Sequence, residues 1–258
     1  MNQTRPVWCL GLYASGSTWL YNIVLRLAAL LHPELQVVAA YLAEGHAPQA
    51  LAEPGRLLVV KSHAPSGDIW DWMNHQDPRI LLTLRDPRDS IASMMVYQGY
   101  GFTSALSAVV QSAKFCASIL DNAKAALLRY EAGFIDDPRT LDFVATKLGG
   151  TLPPDIAAEV FVASRRAATE KVIRQALGGP GVIHHQASGD IVDPTTQWHI
   201  HHLGRSGHAG RWRYVLTLPQ AAAAESALAE PMARMGYSVE WIRASKSQMG
   251  ERAARAPM

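Results

Sequence analysis

The feature that most constrains the fold is a glycine-rich loop between an apolar strand and an apolar helix. Val7 to Tyr13 predicts a buried strand, and Thr18 to Leu31 is apolar on nearly every side, as a central helix is. Gly11 to Thr18 between them fits G-x-x-x-x-G-x-T, the layout of a phosphate-binding P-loop with Ser17 where the usual Lys stands. Backbone N–H groups of such a loop suit a phosphate; the simpler alternative is a Gly/Ser turn that caps the helix.

Further short apolar strands are predicted along the chain, and polar residues follow two of them directly. The strands are 57–60, 80–84 and, more weakly, 127–130, and the predicted helices are 89–97, 103–126, 138–148 and 219–235. This alternation predicts one α/β domain with a central parallel sheet flanked by helices and a P-loop-like nucleotide site at the carboxyl ends of the strands. The domain is expected over 1–242, followed by a polar tail over 243–258. The segment 178–210 shows no clear periodicity and predicts a long loop.

Composition excludes several classes of protein. The 258 residues carry a net charge of only +2, which does not indicate nucleic-acid binding, and 48% are hydrophobic, enough for a core. Two cysteines cannot build a disulfide framework, so we expect a reduced, cytoplasmic protein. No apolar run is long enough to predict a membrane span. The sequence leaves the oligomeric state open, a homodimer included.

The loop after the first strand resembles that of a known enzyme family. Tyr13-Ala-Ser-Gly-Ser-Thr-Trp19 is similar to Y-P-K-S-G-T-T-W, the 5′-phosphosulfate-binding loop of sulfotransferases that use 3′-phosphoadenosine-5′-phosphosulfate (PAPS). The resemblance implies nucleotide contacts from Ser15, Gly16, Ser17, Thr18 and Trp19. Ala14 stands where the family has a Lys that contacts the oxygen bridging phosphate and sulfate.

A second motif follows the strand 80–84. Ile80 to Ser93 resembles the family's 3′-phosphate motif, a strand followed by R-x-P-x-D and then Ser. The resemblance assigns Arg85 and Ser93 to the 3′-phosphate, and a guanidinium can bind a phosphate through two N–H groups. The alternative is an ordinary strand-to-helix turn whose charged residues, 86, 88 and 89, pair at the surface.

A third motif ends the strand 57–60. Lys61-Ser-His-Ala-Pro65 resembles the family's K-T-H-x-P, in which the His is the general base that takes the acceptor's proton. The resemblance makes His63 and Lys61 the catalytic residues. An imidazole with a pKa near ~6.5 suits proton transfer at neutral pH, and Lys61 can offset charge on the transferring sulfuryl group.

A fourth motif lies near the C-terminus. Leu203 to Arg213 resembles the family's R-K-G-x-x-G-x-W loop, with Ser206 in place of the Lys. The resemblance implies a second contact to the 3′-phosphate from Arg205, beside Ser206 and the backbone N–H of Gly207. Tyr130 resembles the Tyr of the family's Y-E pair, which lies near the adenine, and Ser164 matches another adenine-facing position more loosely.

Together the motifs imply a sulfotransferase that moves a sulfuryl group from PAPS to a hydroxyl or amine of a small-molecule or glycan acceptor. The product, 3′-phosphoadenosine 5′-phosphate (PAP), leaves, and this chemistry requires no metal. Two alternatives remain open from the residues. A P-loop small-molecule or nucleotide kinase is disfavoured by the missing P-loop Lys, whereas a noncatalytic PAP- or PAPS-binding protein would accommodate Ala14.

Histidines and aromatic residues complete the candidates. The segment 184–208 holds six histidines without a nearby Cys or regular ligand spacing, so we expect no metal site there, and a mobile loop over the acceptor is the favoured interpretation. A group of aromatic residues follows the strands at His63 and Arg85 and either stacks on an acceptor or packs in the core: Trp70, Trp72, Tyr97, Tyr100 and Phe102.

Overall fold

The fold is a five-stranded sheet whose neighbouring strands are all parallel, as the alternating pattern predicts. This computed structural model describes residues 5–43, 53–121, 124–185, 189–203 and 207–239. The strands, in the order β2-β3-β1-β4-β5, are β1 (Val7–Gly11), β2 (Gln36–Tyr41), β3 (Arg56–Ser62), β4 (Arg79–Leu84) and β5 (Ala125–Arg129). The central position of β1 puts its carboxyl end between those of β3 and β4.

Helices cover both faces of the sheet. Side chains alternate along each strand, so Val7 and Cys9 of β1 belong to one buried cluster and Trp8 and Leu10 to the other. Burial on both faces explains why the strands are nearly continuous apolar runs. The helices are α1 (Ser17–Leu31), α2 (Gly67–His75), α3 (Pro87–Gln98), α4 (Phe102–Ile119), α5 (Arg139–Leu148), α6 (Pro154–Ser164), α7 (Arg166–Leu177), α8 (Trp212–Val215) and α9 (Leu218–Arg234).

Several sequence predictions need correction. The edge strand β2 was not predicted, because its small, half-exposed side chains give no strong strand pattern. The helix predicted over 103–126 ends at Ile119, and strand β5 already begins at Ala125. The first strand ends at Gly11, since Leu12 to Gly16 forms the loop. Helix α3 begins at Pro87 with Asp86 as its N-cap, two residues before the predicted start.

The segment 178–210 is also more ordered than predicted. Strands β6 (Ile183–His185) and β7 (Asp190–Val192) form an antiparallel hairpin, and a 3-10 turn follows at Ile200–His202. Strands of three residues are too short to give a periodic pattern, which is why the sequence predicted a loop. Arg205, Ser206 and the tail 243–258 lie outside the described residues. Within the described ranges, no helix is long and apolar enough to cross a membrane.

A buried ion pair ties helix α3 to the C-terminal helix α9. The Arg88 guanidinium donates to both carboxylate oxygens of Asp86 and to Glu225, and it lies 4.1 Å from the Trp212 ring. Arg88 is only 2% exposed and Glu225 is fully buried. The alternative in which residues 86, 88 and 89 pair at the surface is therefore wrong for Arg88.

We expect Glu225→Ala to lower the free energy of unfolding by about 3 kcal/mol, because the substitution leaves a buried guanidinium without one of its carboxylates. Urea denaturation measures the change. The control is Glu230→Ala on the same helix, whose pair with Arg234 is exposed and should be worth roughly 0–1 kcal/mol. Equal losses in the two variants would contradict the role given to the buried pair.

Candidate active site

A cavity of about 1040 Å³ opens at the carboxyl ends of β1, β3 and β4. This is the edge at which parallel α/β sheets bind ligands. It brings together nearly all the site residues predicted from sequence, although they come from six separate parts of the chain. The cavity walls include Gly16, Ser17, Thr18, Trp19, Lys61, His63, Arg85, Ser93, Tyr130, Ser164 and Gly207. Ser15 lies below the cavity floor, and Arg205 and Ser206 lie outside the described residues.

The loop between β1 and α1 is held from beneath by strand β4. The Ser15 hydroxyl donates to the Leu12 carbonyl at 2.6 Å and lies 2.7 Å from the Thr83 hydroxyl. Gly16, the N-cap of α1, has a φ of 86°, a left-handed conformation that glycine adopts without strain. The first turn of α1 contains no acidic residue and no side-chain cap. Its N-terminal dipole is therefore available to an anion in the cavity.

Gly11 is required for this packing. A Cβ atom at Gly11 would lie 2.1 Å from the Thr83 hydroxyl and 2.9 Å from that of Ser15. Any larger residue would separate the loop from β4. The close approach agrees with a P-loop rather than with a simple Gly/Ser turn.

Arg85 leaves the end of β4 and is almost completely buried. Its guanidinium donates to the carbonyls of Ala14, at 3.1 Å, and His208, at 3.2 Å, and lies 4.3 Å from the Tyr130 ring. The Nε atom has no hydrogen-bond partner among the described residues. Buried donors usually have a partner, so this nitrogen is left for an acceptor that the described residues do not supply.

Gly207 belongs to the same corner of the cavity. Its carbonyl accepts the Tyr130 hydroxyl hydrogen at 2.8 Å, and a Cβ there would lie 2.8 Å from an Arg85 nitrogen. Ser93 of α3 also lines the cavity and is 8% exposed. Arg85, Ser93, Tyr130 and Gly207 thus share one cavity, as the resemblance implied, and Tyr130 lies against Arg85.

Asp89 has a structural role in the site, whereas the sequence predicted that it caps a helix or pairs at the surface. Its carboxylate is fully buried and accepts the backbone N–H groups of Gly210, at 2.7 Å, and Trp212, at 2.8 Å. It also lies 3.8 Å from the Arg85 guanidinium. Burial raises the pKa of Asp89, whereas these two N–H groups and Arg85 act to lower it.

His63 follows β3 and is held by Gly11, the last residue of β1. Its Nδ1 atom lies 2.7 Å from the Gly11 carbonyl oxygen, and its ring stacks on Tyr13 with centroids 4.2 Å apart. A carbonyl can only accept, so Nδ1 carries the hydrogen and Nε2 carries the lone pair. Burial and the charge of Lys61 hold the pKa of His63 well below its usual value. The ring is therefore neutral at pH 7 and can accept a proton at Nε2.

Lys61 lies next to that lone pair. Its ammonium nitrogen is 3.4 Å from His63 Nε2 and 5.3 Å from the centre of the Tyr41 ring. Burial lowers the pKa of Lys61 to about 8. The titratable groups around it are Cys9 on β1, Tyr41 on β2, His63, and the histidines of the 3-10 turn with His199. Lys61 is thus mostly cationic at pH 7 and becomes neutral as the pH rises through 8.

Three histidines of the segment 184–208 lie close together in the cavity wall. His199, His201 and His202 line the cavity with ring centroids 4.5–5.3 Å apart. Burial lowers the pKa of His199 and brings that of His201 to about 4. Asp190, which the sequence analysis did not single out, accepts from both rings at 2.6 and 3.3 Å.

The five aromatic residues that follow the strands fall into two groups, one against the core and one in the cavity wall. Trp72 packs edge-on against Trp8 and Trp70 against Phe115, and both, with Phe102, lie against the core. Tyr97 and Tyr100 line the cavity instead. Only these two of the five are therefore placed to meet an acceptor.

The same fold occurs in solved structures of PAP-bound proteins. A mouse sulfotransferase, SULT7A1, complexed with PAP, matches with a TM-score of 0.62 at 13% identity, over 90% of this chain and 84% of that one. A retinol dehydratase with retinol and PAP matches with a TM-score of 0.57 at 14% identity, over 90% and 82% of the two chains. The chain has the sulfotransferase fold.

A second structure of retinol dehydratase, with androsterone and inactive cofactor PAP, also matches, with a TM-score of 0.56 at 14% identity over 88% of this chain and 80% of that one. No protein-family model and no curated protein sequence matches the chain. At such identities the likeness establishes the sulfotransferase fold.

Proposed function

We propose that the chain is a sulfotransferase that moves a sulfuryl group from PAPS to a hydroxyl or amine of a small-molecule acceptor. One observation carries the proposal. His63 Nδ1 donates to the carbonyl of Gly11, the last residue of β1 and the one that precedes the phosphate loop. The only lone pair of the imidazole is thereby held beside the loop that would bind the 5′-phosphosulfate.

The residues around the cavity fit such a nucleotide. The N-terminus of α1, with no acidic residue in its first turn, would receive the 5′-phosphosulfate. Arg85, whose buried Nε lacks a partner in the described ranges, would receive the 3′-phosphate with Ser93 and Gly207, where the missing Cβ leaves room. Tyr130 supports the Arg85 guanidinium from the other side. A contribution of Arg205 and Ser206 stays a prediction.

PAPS supplies the sulfuryl group, and the protein's residues handle proton and charge. His63 Nε2 takes the proton from the acceptor as its oxygen or nitrogen attacks sulfur, and the bond between sulfur and the bridging phosphate oxygen breaks, so that PAP leaves. Lys61, 3.4 Å from that nitrogen and nearly buried, stabilises negative charge that develops on the transferring group. The Lys61 charge acts inside a buried site, where such interactions are stronger than in water.

Lys61 also stands in for the missing family Lys. Ala14 has a φ of 57° and lines the cavity, and its carbonyl is held by Arg85, so the loop is formed without a cation at this position. Strands β1 and β3 pair with Cys9 opposite Lys61, which brings Lys61 toward the same end of the sheet. A cation is thus present near the reacting group although it comes from a different strand.

The kinase and the noncatalytic binder are separated from this function by two measurements. PAP is expected to raise the melting temperature, whereas ATP with Mg²⁺ is not, since the P-loop position of the kinase Lys is Ser17. A screen of phenols, alcohols and amines with labelled PAPS then tests transfer. A melting temperature that responds to ATP–Mg²⁺ and not to PAP would favour the kinase.

Cytoplasmic location stays a prediction.

We expect His63→Ala to lower kcat by about 10²-fold or more, with PAP affinity nearly unchanged, because the general base is lost while the phosphate contacts remain. Single-turnover kinetics and calorimetric titration with PAP measure the two quantities. His75→Ala, an exposed histidine of α2, is the control and should change neither. Near-normal turnover of His63→Ala would remove His63 from the mechanism.

We expect Arg85→Ala to weaken PAP binding by about 10- to 150-fold, since a charged hydrogen bond is worth roughly 1.5–3 kcal/mol. The affinity for adenosine 5′-phosphosulfate, which has no 3′-phosphate, should fall much less. Arg26→Ala, an exposed arginine of α1 paired with Glu159, controls for the lost charge. Equal losses for both nucleotides would show that Arg85 supports the loop through Ala14 and does not bind the 3′-phosphate.

We expect kcat/KM to fall as the pH rises through about 8, because the pKa of Lys61 lies there and the cationic form is lost above it. Lys61→Ala should abolish this fall of kcat/KM at high pH. It should also lower kcat more than PAPS affinity, since the charge is needed chiefly in the transition state. Ala14→Lys should partly restore Lys61→Ala, and a double-mutant cycle measures the coupling. An unchanged high-pH limb in Lys61→Ala would eliminate Lys61 as the substitute cation.

A further inference from the structure

Two histidines and one aspartate meet in the cavity wall and match no part of the sulfuryl-transfer chemistry. The Nδ1 atoms of His199 and His201 lie 2.6 and 3.3 Å from the two carboxylate oxygens of Asp190. Each of the three residues offers a ligand atom, and these atoms all lie within 4.8 Å of one another. Their side chains are only 15–22% exposed, and all three line the cavity.

The backbone sets this arrangement before any ligand arrives. Asp190 begins β7, and His199 pairs with Val192 of that strand through an isolated antiparallel bridge. The 3-10 turn at Ile200–His202 then carries His201 back toward Asp190. His202 Nδ1 accepts the backbone N–H of His199 at 3.0 Å, which holds the turn. The three side chains are thus positioned by main-chain bonds rather than by their mutual contacts alone.

The donor set is that of a transition-metal site. Zn²⁺ binds imidazole nitrogen and carboxylate oxygen at about 2.0–2.1 Å, so ligand atoms around a tetrahedral ion are roughly 3.3 Å apart. The distance from His201 Nδ1 to Asp190, 3.3 Å, equals that spacing, whereas the distance from His199 Nδ1, 2.6 Å, is that of a hydrogen bond and must lengthen when an ion binds. Two imidazoles and one carboxylate leave a further coordination position, as in metal sites that bind water or substrate.

We propose that His199, His201 and Asp190 bind one divalent transition-metal ion of the Zn²⁺ class, with its open coordination position in the cavity that also holds Lys61 and His63. Coordination through Nδ1 shifts each ring hydrogen to Nε2, so neutral rings bind without a net loss of protons. The ion joins strand β7 to the 3-10 turn. The sequence predicted no metal site because the histidines are irregularly spaced. That prediction did not consider Asp190 as a ligand.

The test is a calorimetric titration of the tag-free, chelator-stripped full chain with Zn²⁺ alone. One equivalent is expected to bind. His199→Ala, His201→Ala and Asp190→Asn should each weaken binding by about 100-fold or more, since even residues that only support metal ligands are worth 10–100-fold. His184→Ala, an exposed histidine of the same hairpin outside the cavity wall, is the matched control and should bind as the unsubstituted chain does.

A second measurement needs no variant. X-ray absorption of the unsubstituted, Zn²⁺-loaded chain should show imidazole scattering and a nitrogen/oxygen shell at about 2.0–2.1 Å. Absence of stoichiometric binding, a shell without imidazole, or equal losses in His184→Ala and the three site variants would each overturn the proposal. Asp190 would then be an ordinary acceptor for two N–H groups. Because PAPS is absent from both measurements, failure here leaves the sulfotransferase proposal intact.

Discussion

The site depends on the hydrogen bonds at the carboxyl end of strand β1. The Gly11 carbonyl accepts a hydrogen bond from His63 Nδ1 on the β3 side. The Leu12 N–H donates to the Thr83 carbonyl of β4 at 3.1 Å. The Ser15 hydroxyl meets that of Thr83 below the loop. These contacts require β1 to lie between β3 and β4 and require no Cβ at Gly11. The phosphate loop and the candidate base are therefore placed by the same few atoms.

A second set of contacts brings the C-terminal segment to this edge. Asp89 accepts the N–H groups of Gly210 and Trp212, and Arg85 donates to the His208 carbonyl. Each bond joins residues more than 120 positions apart in the chain. Such buried, charge-assisted bonds are stronger than neutral ones and hold Gly207 against Arg85 and Tyr130. The proposed 3′-phosphate corner exists only when both halves of the domain are assembled.

Burial of the polar groups gives the cavity its chemistry. Lys61 and His63 are 3% and 8% exposed, and burial lowers the pKa of both. At pH 7 this leaves a neutral imidazole beside a cation that is still mostly charged. The neutral form is the one that accepts a proton, and the cation gains strength from the low local dielectric. At the surface the same lysine would be surrounded by water, and its charge would act more weakly on a reacting group.

The sequence by itself determined the parallel α/β class, three of the central strands and the side chains at their ends. Apolar runs and the polar residues that stop them are local features, and the resemblance of those residues to sulfotransferase motifs marked Ser15–Trp19, Lys61, His63 and Arg85 as candidates without coordinates. Short or half-exposed strands such as β2, β6 and β7 have no such pattern. The tertiary structure alone decided that Asp89 supports the C-terminal segment, because its partners lie more than 120 positions away. It also decided that Asp190 meets His199 and His201, because that contact depends on the backbone bridge between Val192 and His199 and on a 3-10 turn, which no periodic pattern marks.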